Sequence, residues 1–295
     1  MISPENIKQW FDSLLAQWPL AAANHDALSH VSTRSVDLDG FRFTVQFNPA
    51  RAISSGAKTD KASIASRPCF LCETNRPSEQ TSIQVGEFEI LVNPFPIFHH
   101  HYTIAHRRHR PQAIEGYWCH MAALASQLPE HTVFYNGPCC GASAPDHFHF
   151  QAVPTEALPL WQHVNQSIPG TTIPDNLPFG AISLVTDCFT TLSERASLIM
   201  KSLPHTEIEY EPKINALCRT VGNGLIQLII IPRRAHRPDI YPGRMISPAS
   251  IDLAGVIITP LQSDFDAMDS DLLHYVLNQV CYSPDEINQF LSPRP

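Results

Sequence analysis

The segment His147-Phe148-His149-Phe150-Gln151 constrains the fold more than any other in the chain. Strict alternation of aromatic and polar side chains is the pattern of a β-strand, whose successive residues point to opposite faces. Phe148 and Phe150 would bury against a core, while His147, His149 and Gln151 stand together on the other face. A sheet built on this strand has an apolar layer on one side and a polar surface on the other. Two imidazoles and an amide in a row are poor decoration for a surface that only meets water. A neutral imidazole, with an unperturbed pKa of about 6.5, is a nucleophile near neutral pH. It can attack phosphorus and form a covalent nucleotidyl intermediate. The bland alternative is a strand whose polar face merely carries histidines.

Around this strand the sequence reads as a mixture of helices and antiparallel strands. Ser3-Pro4-Glu5 supplies an N-cap, a first helical residue and a first-turn acid. Ile7, Trp10, Phe11, Leu14, Leu15 and Trp18 follow at helical spacing. Two alternating segments, 35–38 and 41–47, flank Asp39-Gly40, a strong hairpin signal. Residues 51–68 are polar and loop-like. Strands are predicted at 88–92, 100–105, 132–135 and 147–153, with a helix opened by Pro111. The proline-rich stretch 154–180 reads as a linker. Beyond it the patterns give strands near 182–186, 206–219 and 225–231 and a helix near 192–203. An acidic helix starts at Ser263 or Asp264, and Ser283-Pro284-Asp285 caps a last one. The expected organisation is a unit at 1–153, a linker at 154–180 and a second unit at 181–295. Residues 104–111 echo 231–238, each a basic turn after an apolar strand with His109 matching His236, which suggests a duplicated α+β unit.

Composition excludes several classes of function. The chain is 43% hydrophobic, enough for a sizeable core and too much for disorder. Its apolar runs fall short of the roughly 18 residues that span a bilayer. Lys plus Arg is 20 and Asp plus Glu is 28, a formal charge of −8. A protein that coats nucleic acid by charge alone needs a basic surface to displace counterions, so no nucleic acid is expected. Eight scattered cysteines, with one C-x-x-C, do not resemble a disulfide-stapled secreted domain. The first helix is amphipathic rather than continuously apolar, unlike a signal peptide, and a cytoplasmic protein is expected.

Asn136-Gly137-Pro138, Gly141-Ala142-Ser143 and His147-Phe148-His149-Phe150-Gln151 together resemble the active-site segment of the histidine-triad superfamily. The resemblance is to its transferase branch: galactose-1-phosphate uridylyltransferase, diadenosine tetraphosphate phosphorylase and the GDP-hexose phosphorylases. It implies an α+β fold of two histidine-triad-like units, each an antiparallel sheet with helices packed on one face. It also implies nucleotidyl transfer by double displacement, with phosphate or a sugar 1-phosphate as acceptor. By position His149 would be the nucleophile, Gln151 would bond the phosphoryl oxygens, and His147 would complete the motif. Asn93, Asn136, Gly141, Ala142 and Ser143 would bind nucleotide or phosphate. Triad hydrolases usually carry a third histidine where this chain has Gln151, which favours a phosphorylated acceptor over water. A hydrolase of dinucleotides or nucleotide sugars is one alternative; a non-catalytic, zinc-containing nucleotide- or RNA-binding module is another.

Cys69-x-x-Cys72 is half of a tetrahedral zinc site. The uridylyltransferases imply its other half, a histidine after the following strand pair and the first histidine of H-x-H. These would be His109 and His147, although His106 or a histidine at 99–101 could replace His109, and iron could replace zinc. The metal would be structural. Residues 99–110 hold five of the 15 histidines and three arginines. They read either as a grip on an anionic substrate or as a solvated turn.

Overall fold

The computed structural model describes residues 4–52, 61–166, 169–206 and 210–292. Ser3, residues 53–60 of the polar stretch and 207–209 of the strand expected at 206–219 lie outside them. Twelve strands are defined among the described residues: β1 Ser32–Leu38, β2 Phe41–Phe47, β3 Ser82–Val85, β4 Phe88–Val92, β5 Tyr102–His106 and β6 His131–Asn136 in the first half. Then come β7 His149–Pro154, β8 Gly170–Thr172, β9 Ile182–Thr186, β10 Ile214–Val221, β11 Leu225–Pro232 and β12 Val256–Thr259. The helices are α1 Pro4–Gln17, α2 Pro19–Asp26, α3 Lys61–Ala65, α4 Trp118–Gln127 and α5 Leu160–His163, followed by α6 Phe189–Ser202, α7 Ser250–Leu253, α8 Gln262–Ala267, α9 Ser270–Val280 and α10 Pro284–Leu291.

The architecture is α+β. Nine antiparallel strands form one sheet in the order β3-β4-β5-β7-β6-β10-β11-β9-β8. Its middle is the β6–β10 pair, where Asn136 lies opposite Asn215. Reading outward from that joint, β6-β7-β5-β4 and β10-β11-β9-β8 follow one topology, with α4 and α6 inserted at equivalent points. The fold therefore repeats a unit, and β7 corresponds to β11. The sequence echo of 104–111 in 231–238 follows β5 and β11, strands that do not correspond. It is not the trace of this duplication.

One face of the sheet is covered by helices. Ile7, Phe11, Leu14 and Trp18 of α1 and its C-terminal end recur at spacings of four, three and four, and pack with Trp118, Met121, Leu192 and Ala196 against Ile104, Tyr135, Phe148 and Phe150. Each such side chain is worth roughly 1.5–3 kcal/mol when fully buried. The other face carries Phe134, Val153, Leu217, Ile229 and Ile231 under a second layer. That layer holds a small sheet, β1-β2-β12, and helices α7 and α9. The hairpin β1-β2 turns at Asp39 (φ 54°) and Gly40 (φ 81°), two left-handed residues as a tight hairpin turn requires. Strand β12 joins β2 in parallel, which ties the beginning of the chain to its last third.

Several boundaries differ from the sequence expectations. The strand expected at 206–219 begins at Ile214. The stretch 154–180 is no bare linker, since it holds α5 and strand β8 and buries Leu160, Trp161 and Phe179 in the core. Strand β7 begins at His149, because the His147 amide closes a turn on Ala144 O and the Phe148 amide bonds Arg110 O. The helix expected from Pro111 begins at Trp118. The acidic helix splits into α8 and α9, because Asp269 accepts from the Leu272 amide and caps a new helix. None of the described helices is long and apolar enough to cross a membrane.

Candidate active site

His149 and Gln151 share the face of Val153 on β7 and so point away from the helices, towards the second layer. Between β7 and that layer lies a cavity of about 430 Å³. Its walls include His149, Gln151, Asn136, Asn93, Gly141, Ala142 and Ser143, seven of the residues named from sequence. Arg51, His236, Arg237, Ser247 and Asp252 join them from other segments. Of residues 99–110 Thr103 alone lines it and none of their histidines or arginines does, so the basic side chains of the segment do not grip what the cavity holds.

The His149 ring is only 3% exposed. Its Nδ1 lies 2.8 Å from the carbonyl of His147, which can only accept, so the proton is on Nδ1 and the lone pair on Nε2. Burial lowers the ring's pKa to about 4, which keeps it neutral at pH 7. The backbone around it is held by Gln112. That side chain accepts from the His149 amide at 2.8 Å and donates to the carbonyls of Asn136 and His149, both at 3.0 Å. It bridges β6 and β7 beyond the last residue pair of their ladder, Phe134 with Gln151.

Gln151 is oriented from behind by His101, which is wholly buried. The Ile97 amide donates to His101 Nδ1 at 3.1 Å, so the proton of the neutral ring is on Nε2. That N–H donates to Gln151 Oε1 at 2.8 Å. With its oxygen engaged, the Gln151 amide presents its nitrogen as donor to the cavity. Burial and the nearby Arg51 cation push His101 down to about 3, so it stays neutral in this role. On the opposite strand end, Asn93 accepts from the Phe95 amide at 2.9 Å and donates to Thr103 at 3.3 Å, which shapes the 93–97 loop along the wall.

The turn after β6 brings its backbone close to the cavity. Gly141 has φ of 98°, and a Cβ there would lie 2.6 Å from that of Ala249, so only glycine fits. Behind the turn, Glu211 accepts from Tyr135 Oη at 2.6 Å and from the Ile114 amide at 2.7 Å.

His147 does not line the cavity. Its Nδ1 faces Cys69 Sγ at 3.3 Å and Cys72 Sγ at 3.5 Å, and His109 Nδ1 lies 3.3 Å from Cys72 Sγ. Ligand atoms of all four residues fall within 4.8 Å of one another, a group that could hold a metal ion. Such separations fit donors around one ion at about 2.3 Å for sulfur and 2.0–2.1 Å for nitrogen. The His147 ring is set for this, since its Nε2–H donates to His106 O at 2.7 Å and leaves Nδ1 free to ligate. The alternatives weighed for His109 do not enter this cluster: His106 is the outer partner, and His101 is the support of Gln151. All eight cysteines are unbridged.

Sequence reasoning missed His101, Gln112, Arg51 and Ser250. His101 had a signal in the dense run of histidines, read as an anion grip or a solvated turn, with a histidine at 99–101 as an alternative metal ligand. The others carry no local pattern, because their partners are distant in sequence.

A family model described as a domain of unknown function (DUF4922) matches residues 10–154. No curated protein sequence matches the chain. Among solved structures, yeast Ap4A phosphorylase Apa2 is similar with a TM-score of 0.67 at 17% identity, over 96% of this chain and 99% of that one. Its complex with Ap4A gives a TM-score of 0.61 at 17% identity, over 96% and 99% of the two chains. Its complex with AMP gives 0.59 at 17% identity, over 95% and 97%. The chain therefore shares the Apa2 fold over 96% of its length.

Proposed function

We propose that this protein is a nucleotidyltransferase, of the phosphorylase or uridylyltransferase kind, acting through a covalent nucleotidyl-histidine. The observation that carries the reading is the neutral His149 ring, with its Nδ1 proton tied to the His147 carbonyl and its Nε2 lone pair left for the cavity. Nε2 attacks the α-phosphorus, a P–N bond forms, and the bond to the leaving phosphate or sugar phosphate breaks. The ring then carries a positive charge, which the His147 carbonyl stabilises through Nδ1–H. In the second step an acceptor oxygen attacks phosphorus and the P–N bond breaks. The acceptor is phosphate or a sugar 1-phosphate.

Gln151, aimed by His101, donates to the phosphoryl oxygens, and Asn136, Ser143 and the turn at Gly141-Ala142 cradle the nucleotide beside Asn93. In this reading residues 1–153 carry the chemistry and the second unit, which begins with β8 inside the stretch 154–180, supports it. The shared fold with a phosphorylase solved with AMP and Ap4A supports a nucleotide as substrate. Zinc, held by Cys69, Cys72, His109 and His147, would supply fixed charge and cross-linking to the framework behind the nucleophile. Unbridged cysteines support a reducing compartment, the cytoplasm.

The test is labelling. Protein incubated with α-labelled nucleoside di- or triphosphates and diadenosine tetraphosphate, without acceptor, should retain acid-labile label that phosphate releases as labelled nucleotide. His149→Ala should take up none and keep its melting temperature. Label on His149→Ala would remove His149 as the nucleophile, and release by water as fast as by phosphate would make the protein a hydrolase.

A further inference from the structure

The second unit lacks an H-x-H-x-Q strand. Its counterpart of β7 is β11, Leu-Ile-Gln-Leu-Ile-Ile-Ile-Pro, which carries no histidine and is apolar but for Gln227. Yet the second unit reaches the cavity through Asn136. The side-chain oxygen of Asn136 accepts from the Ser250 amide at 3.0 Å and from Asn215 Nδ2 at 2.8 Å, and it lies 2.7 Å from Ser250 Oγ, whose single proton it shares with the Tyr135 carbonyl at 2.9 Å. A backbone N–H only donates, so the atom facing Ser250 is the oxygen, and the amide nitrogen is turned the other way.

Asn215 is fixed with equal certainty from its two ends. Its nitrogen faces the carbonyl of Cys140 at 2.9 Å, which only accepts. Its oxygen faces Nη1 of Arg233, which only donates. Arg233 is 2% exposed and has an acceptor for each of its five N–H groups. These are Asn215 Oδ1 and the carbonyls of Val280, Pro248, Ala235 and His236. No carboxylate pairs with it among the described residues. The three arginines of this basic turn thus divide. Arg234 pairs with Glu286 at the surface, Arg237 lies over Tyr241 beside Ser247, and Arg233 is spent wholly inside the protein. Holding a cation there without a counter-ion is costly, and tying loops together needs no charge.

We infer that Arg233 and Asn215 are positioning residues: they form a one-directional chain of donors, Arg233 to Asn215 to Asn136, that together with the Ser250 amide commits the Asn136 amide nitrogen to donate to a phosphoryl oxygen in the cavity. The second unit then serves catalysis by setting the sense of one amide in the first, as His101 sets that of Gln151. Both amides present donors, which suits a ligand whose oxygens only accept. The inference rests on the nucleotidyl-transfer reading.

The experiment measures binding of AMP, GMP and UMP by calorimetry, continuing with whichever binds wild type most tightly. Asn136→Asp keeps the acceptor for Ser250 and Asn215 but turns an oxygen to the ligand. It should weaken binding roughly ten- to hundred-fold, the value of one hydrogen bond to a charged group. Asn215→Asp keeps the partner of Arg233 but opposes Asn136 Oδ1, and should weaken binding about ten-fold by the same measure. In an Asn136→Ala background, Asn215→Asp should change affinity less than about two-fold, because the relay then has nothing to aim. Wild-type affinity in Asn136→Asp, or an undiminished Asn215→Asp effect in the Asn136→Ala background, would overturn the inference while nucleotidyl labelling stood. A wild-type protein that neither binds these nucleotides nor takes label would bring down both. Wild-type affinity in Asn136→Asp overturns the inference even if Asn215→Asp fails to fold, and in that case Asn215→Ala, which removes the relay without opposing Asn136, takes its place in the same cycle.

Discussion

At the scale of single residues, the site is a matter of which atom of each ring or amide faces the cavity. Nothing in the sequence states this. The H-x-H-x-Q pattern puts His149 and Gln151 on one strand face, but their proton positions depend on the His147 carbonyl and on His101, and the latter is set by the Ile97 amide. The pattern also groups His147 with His149 on the ligand-facing surface. The turn at 144–147 ends the alternation one step early, and the His147 ring goes to the cysteines instead. The orientation of Gln151 can be tested by an isosteric change. In Gln151→Glu the carboxylate still accepts from His101, but an anionic oxygen replaces the donor that faces phosphate. Turnover should fall roughly a hundred-fold, as when one oxyanion donor is lost, with little change in melting temperature. A steady-state rate within two-fold of wild type would mean that the amide nitrogen is not used.

At the scale of elements, the hairpin at Asp39-Gly40, the apolar stripe of α1 and the Ser283 cap were legible because each depends on neighbours a few residues away. The splayed ends of β6 and β7 were not, since Gln112 and Glu211 hold them from afar. Glu211 joins the segment before β10 to β6 through Tyr135 and to the approach of α4 through Ile114. Burial pushes its carboxyl up to about 7 from an ordinary 4.5, against the pull of those two donors. A carboxyl whose pKa is raised by folding favours the folded state only while protonated. Its contribution is therefore full below about pH 4.5 and is lost as pH rises through about 7. Denaturant unfolding of wild type should show stability falling over that window by up to about 3 kcal/mol from this group. Glu211→Gln should flatten the slope and be the more stable protein at pH 8. A slope equal in the two proteins would show that Glu211 ionises normally.

At the scale of the molecule, two units of one topology share a sheet, and strand β12 closes back onto β2, so the halves are not independent beads. The duplication could be suspected from sequence, but the echo that suggested it joined strands that do not correspond. Topology survives in hydrogen-bond order after side chains have diverged. The Cys69, Cys72, His109 and His147 cluster ties three distant segments of the first unit: the stretch before β3, the loop after β5 and the turn before β7. Burial pushes the Cys69 thiol up to about 11, so without a cation this thiol stays protonated. A bound ion that prefers thiolate and imidazole would convert the same four side chains into a cross-link over some 80 residues of chain, and its binding energy becomes folding energy. Metal analysis of untagged protein should give about one zinc per chain. A strong chelator should lower the melting temperature by several degrees, the shift expected of a few kcal/mol in a chain of this length. Cys69→Ser should start from that lower value and respond no further to chelator. The nucleophile meets the cluster through the backbone carbonyl of His147, whose amide is also held in the turn by Ala144 O, so nucleotidyl labelling at low temperature should outlast the loss of metal. A melting temperature indifferent to both chelator and Cys69→Ser would reduce the C-x-x-C to a turn.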